Sequence, residues 1–247
     1  MLAKNSISRA LAALEYQQPE PFLRGMRHIQ MEPVWGGQSD TAGTLRSTCA
    51  LALLQCRSLG ESDLLPHLID LAADSDKSVR AEIMRALAQL NSPAAAQLLR
   101  LRAALGNDEP EVLGAAYSGI LQIEGVKALP WIARFLAKAD EASAEAALAI
   151  AATHSLEAVA LLRAELNRST DPWFRSVLFS AIALTREEAG RDYLLKVLSQ
   201  ESVDAEAALE ALFRSWSSPA MLQQLEERVA ASPRLSRSLA ELRRASK

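Results

Sequence analysis

Trp35, Gly36, Gly37 and Asp40 stand close together in the segment MEPVWGGQSDTAG, residues 31–43, and form the densest set in the chain able to grip another molecule. An indole supplies a large apolar anchor, glycines let a loop adapt, and a carboxylate accepts donors, which is the chemistry of a binding rim. The competing reading has Trp35 fold back over its own repeat. Arg46, Arg80 and Arg175 form a second set, because a guanidinium recognises a carboxylate or phosphate through two parallel hydrogen bonds. His28, His67 and His154 are far apart and have no Cys, Asp or Glu at metal-ligand spacing, so neither a metal nor a cofactor is expected. The Gly36-Gly37 pair is not followed by Gly-Lys-Ser/Thr and is no phosphate loop. No Gly-x-Ser-x-Gly and no nucleophile with a local base is visible, so the chain is expected not to be an enzyme. Trp131, Trp173 and Trp216 are dispersed and read as packing at unit ends. Near the C-terminus, Arg228, Arg234, Arg237, Arg243, Arg244 and Lys247 outnumber Glu241, which marks either a basic docking tail or a solvated capping helix.

Helices must position these residues. In residues 64–90, Leu64, Leu68 and Leu71 recur at i, i+4 and i+7, and Val79, Ile83, Ala86, Leu87 and Leu90 follow as a second stripe. Asp74-Ser75-Asp76 lies between them and supplies acceptors for the free N–H groups of the second helix. The pattern recurs as helix pairs 22–30 with 44–56, 94–105 with 112–123, 126–137 with 142–152, 156–166 with 173–184, and 189–198 with 203–213. The second helices start at Leu45, Val79, Val112, Ala144, Phe174 and Ala205, at steps of 34, 33, 32, 30 and 31 residues. A two-helix unit cannot bury its apolar faces alone, so such units stack. A first helix in residues 1–18, with Ile7, Leu11 and Leu14, is expected to cap one end; a pair in 217–247, with Leu235, Leu239 and Leu242, caps the other. Residues 31–43 read as a long irregular loop inside the first repeat, and the chain as a single array.

The stretch LPHLIDLAADSDKSVRAEIMRALAQL resembles the HEAT repeat family, specifically the short bacterial repeats also found in phycobilisome lyases, with weaker echoes at TLRSTCALALLQC, ALPWIARFLAKADEASAEAALAIAA and DPWFRSVLFSAIAL. The resemblance implies an all-α solenoid, a right-handed superhelix of six to seven helix pairs whose second helices line a concave binding face. It also implies a ladder of turn aspartates and second-helix arginines: Asp40 with Arg46 and Asp74 with Arg80 match at a spacing of six, Asp171 with Arg175 at four. Leu113, Glu145 and Glu206 replace the arginine elsewhere. A bilin lyase or a DNA glycosylase on the same repeats is the alternative that the resemblance offers.

At 49% hydrophobic and 5% aromatic residues, the composition suits helices packed through Ala and Leu. A net charge of −3 offers no bulk attraction to nucleic acid or to an anionic membrane, so the expected partner is another protein. Cys49 and Cys56 lie about 10 Å apart along one predicted helix, too far for a disulfide. Reduced thiols, and an N-terminus without a secretory apolar core, point to the cytoplasm.

Overall fold

Short polar caps followed by proline punctuate this chain into helices, and the computed structural model describes them over residues 2–200, 202–216 and 218–245. Asp76, Ser92, Asp140, Ser155, Asp171 and Ser218 each accept a backbone N–H in the first turn of the helix that follows. Pro93, Pro172 and Pro219 come next in three of these, where the missing N–H costs nothing. The chain divides into two compact units, residues 1–124 and 125–247.

In the first unit, α1 (Leu2–Ala13) and α2 (Glu20–Met26) precede a hairpin of β1 (Met31–Val34) and β2 (Gly37–Asp40). Then come α3 (Gly43–Leu53), α4 (Glu61–Ala72), α5 (Lys77–Leu90), α6 (Pro93–Leu105) and α7 (Pro110–Glu124). The second helices α3, α5 and α7 pack side by side, and α2, α4 and α6 pack on them as hairpin partners. Leu64, Leu68 and Leu71 are buried, as are Val79, Ile83, Ala86 and Leu87, so the 64–90 stripes face the core as predicted. Pro66 sits inside α4, not at its start. Cys49 and Cys56 are free and buried, but Cys56 lies beyond the end of α3 instead of on the same helix.

The second unit begins with an interruption. The predicted helix 126–137 is a 3-10 turn (Gly125–Ala128), the five-residue α8 (Leu129–Ala133) and another 3-10 turn (Arg134–Lys138). Gly125 has φ +65 and Ala139 φ +54, so left-handed residues bound the segment at both ends. There follow α9 (Glu141–Ala151), α10 (Leu156–Leu166), α11 (Pro172–Leu184), α12 (Glu188–Leu198), α13 (Ala205–Ser215), α14 (Pro219–Val229) and α15 (Pro233–Ala245). Again the second helices α9, α11, α13 and α15 pack in series. Leu235 and Leu239 bury the apolar face of α15. The fold is therefore an all-α solenoid of helical hairpins. No helix among the described residues is long and apolar enough to cross a membrane.

Two expectations change. Residues 31–43 are not an irregular loop: Met31 pairs with Asp40, Glu32 with Ser39, Pro33 with Gln38 and Val34 with Gly37 in an antiparallel hairpin. Ile7 of α1 is 60% exposed and Leu14, just beyond its end, 79%, while Leu11 is half-buried, so this stripe does not pack as a whole against the repeats. The helix packs on α3, with Ser8 buried.

Candidate functional site

The arginines singled out from sequence are brought into ion pairs that each link one repeat to the next, buried at Arg46 and part-exposed at Arg175. On α3, the Arg46 guanidinium donates through Nε and Nη2 to Asp74 (2.6 and 2.8 Å) and through Nη1 to Asp40 (2.5 Å) and to the His28 carbonyl (3.0 Å). On α5, Arg80 donates to Asp108 (2.7 Å from Nη2) and to the carbonyls of Asp74 (2.7 Å) and Ser75 (3.1 Å). Arg102 of α6 closes on the same Asp108 at 2.9 Å. In the second unit, Arg175 donates to Asp204 (2.6 Å) and to the carbonyls of Leu166 and Ser169.

Each acceptor lies in the turn of the following hairpin, 28 residues after Arg46 and Arg80 and 29 after Arg175. The pairing within a single repeat holds only for Asp40 with Arg46. Asp74 meets Arg80 through its backbone carbonyl, and Asp171 does not bind Arg175 but caps α11 by accepting from Phe174 N at 2.7 Å. Sequence reasoning missed Asp108, Asp204 and Arg102, although the constant offset of about one repeat was there to find. Leu113, at an arginine position, is buried in the core, and Glu206 faces Arg234 at 3.4 Å.

Burial pushes the Asp40 carboxyl up, but N–H groups of Gln30 and Ala42 and the Arg46 guanidinium outweigh it and hold it below its ordinary value. Asp108 behaves alike, with Arg80, the Glu109 N–H and Arg102 overcoming desolvation. For Arg46, hydrogen bonds and charges from Asp74 and Asp40 exceed the desolvation that opposes them, so its value rises. Arg46, Arg80 and Arg175 thus direct most of their donors to acceptors inside the chain and brace the stack.

Asp40 joins this brace to the hairpin. Its Oδ1 accepts from Gln30 N (2.9 Å) and Ala42 N (3.0 Å), while Thr41 N donates to the Gln30 carbonyl (2.9 Å). The base of the hairpin is clamped, and the tip is free: Trp35 is fully exposed and follows the exposed Val34, while the exposed Ile29 and Met31 lie at the base. This overturns the reading in which Trp35 covers its own repeat. The two-residue turn Trp35-Gly36 has φ +89 at Gly36, a conformation that glycine adopts without strain.

Other candidates resolve into local roles. His28 Nε2 meets Lys4 Nζ at 2.8 Å, and His154 Nδ1 meets the Thr185 carbonyl at 2.9 Å. Among the described residues, no three His, Cys, Asp or Glu side chains converge as metal ligands. Arg134 lies over the Trp131 ring at 4.3 Å, and Trp173 is half exposed. Arg228 donates to Ser199, Arg234 pairs with Glu206 and Arg243 with Glu226, so much of the basic C-terminal set is engaged. Lys247 lies outside the described residues.

Stacked helical hairpins joined by an arginine–aspartate ladder define a helical repeat protein. The family model described as HEAT repeats matches residues 38–104 and 65–153, and over these residues the chain carries HEAT-like repeats. No curated protein matches the sequence. Among solved structures, human deoxyhypusine hydroxylase in complex with glycerol is similar at 17% identity and a TM-score of 0.35, over 98% of this chain and 96% of that one.

Proposed function

We propose that this HEAT-like repeat protein is a non-catalytic protein-binding scaffold that presents the 31–40 hairpin to its partner. One observation carries the reading: a fully exposed tryptophan stands at the tip of a hairpin whose base is fixed by Asp40 to the buried Arg46–Asp74 pair. Two strands alone are marginally stable in water. A side chain as large as Trp35 held out on such an element, with Val34 next to it, offers the aromatic anchor that protein interfaces place in a partner's apolar pocket. In this reading Trp35 makes the contact, and Asp40 and Arg46 hold the hairpin in place for it. Engagement of the C-terminal arginines with Ser199, Glu206 and Glu226 favours a protein over a nucleic acid as that partner.

The test is site-specific photo-crosslinking in the native lysate, with a benzophenone amino acid at position 35 and, as a control, at the exposed Leu101 on α6. One discrete protein adduct from position 35 and none from position 101, abolished in competition by untagged wild type but not by untagged Trp35→Ala, supports the scaffold. Equal adducts from both positions, or none, overturns it.

A further inference from the structure

A cleft of about 650 Å³ opens between α1 and α2 and is floored by α3. That volume falls within the roughly 300–1,000 Å³ of small-molecule sites. Its walls are apolar for most of their length: Ile7 and Leu11 project from α1, and Phe22 and Leu45 complete the far wall and floor. The sequence has Ile7 and Leu11 on the apolar stripe of a capping helix; in the structure Ile7 is exposed and Leu11 half-buried at this cleft. Gly25 keeps the cleft deep, since any β-carbon there would strike Cys49 Sγ. Burial pushes the Cys49 thiol up to about 11, so at neutral pH it is a protonated part of the floor and no nucleophile.

Charge is sorted along this cleft. Glu20 lines it at the start of α2; Arg24 and His28 line it toward and beyond the other end of that helix. Lys4, from α1, joins them, meeting His28 Nε2 at 2.8 Å and donating to Gln30 Oε1 at 2.9 Å. Among the described residues neither Lys4 nor Arg24 forms an ion pair. Two cations without a direct ion pair, with Glu20 one turn from Arg24 and Glu32 on the far side of Gln30, line an apolar cleft and match a ligand with one anionic head and an apolar body.

We propose that the α1–α2 cleft binds a small amphipathic carboxylate, its head on Lys4 and Arg24 and its body over Ile7, Leu11, Phe22 and Leu45. The site is separate from the hairpin tip and does not depend on the scaffold reading.

Calorimetric titration of the full chain with decanoate and with decan-1-ol tests it. Decanoate binds one to one and at least about tenfold tighter than the alcohol, a preference worth about 1.4 kcal/mol. Lys4→Gln, an exposed position that leaves the melting temperature unchanged, removes the preference while alcohol binding stays as it was. Ile7→Trp, also on an exposed position of α1, fills the cleft and weakens both ligands about tenfold or more. Absence of binding, equal affinity for acid and alcohol, or a preference that survives Lys4→Gln overturns the proposal. So does self-association of the chain, read by sedimentation, that buries the cleft and excludes decanoate.

Discussion

Asp108 shows how much rests on one carboxylate. Its side chain is 2% exposed and is shared by Arg80 and Arg102, themselves largely covered. A buried charge pair adds little net stability over apolar packing, but removing one partner strands the other. Asp108→Asn leaves two guanidiniums facing a neutral amide and is expected to cost about 3 kcal/mol at neutral pH. The folded carboxyl is held below its ordinary value of 3.8, so it contributes stability above that value and loses it as the pH falls through the lower, folded value. Melting curves taken from about pH 7 down to about pH 2 should therefore show the wild type falling steeply below about pH 4 and the variant falling less, the two converging in acid. A constant gap at every pH would mean that Asp108 is not ionised in the folded chain.

At the scale of the element, Ala139 is one of the non-glycine residues held at positive φ. It ends the 3-10 turn Arg134–Lys138 with φ +54, which a β-carbon penalises by about 1–2 kcal/mol. Glycine removes that penalty and gives part of it back as unfolded-state entropy, so Ala139→Gly is expected to stabilise by about 0.5–1 kcal/mol in urea denaturation. A destabilised variant would place the strain elsewhere. Nothing in the sequence around Ala139 announces this break: residues 126–137 carry helical periodicity, and the alanine does not look like a stop signal. The hairpin was hidden for a different reason. A strand is read from alternation between a buried and an exposed face, and no residue of β1 or β2 is buried, while Pro33 argues against a strand at all. What fixes its register is the turn at Gly36 and the acceptor Asp40, both visible as residue types but not as a pairing. Helix pairs were legible because their stripes bury; Leu64, Leu68, Val79 and Ile83 declare their faces by spacing alone. Of the site, the arginines were legible as a recurrence and their partners were not, since the link joins neighbouring repeats instead of closing within one.

For the whole molecule, that link decides how the repeats share stability. Each repeat buries its faces against its neighbours, so stability is a sum of repeat terms and interface terms, and the arginine of one second helix reaches the next turn across each interface it spans. Within residues 1–124, α5 packs on α3, α4, α6 and α7, and Leu87 is buried among these contacts. Leu87→Asp forfeits about 1.5–3 kcal/mol of apolar burial and adds the cost of a carboxylate without a partner. A repeat that stood alone would lose only its own order. In a stack, α5 is support for both neighbours, and its loss also releases Asp74 and Arg80, the ladder residues on either side of its first turn. Hydrogen exchange on Leu87→Asp is therefore expected to show protection lost from α3 through α7 together, with the hairpin 31–40 deprotected because Arg46 no longer has a fixed Asp74 to hold it. Loss confined to α5 would show that each hairpin is held mainly by its own two helices, and the ladder would then be decoration on the stack instead of the coupling that carries order from one repeat to the next.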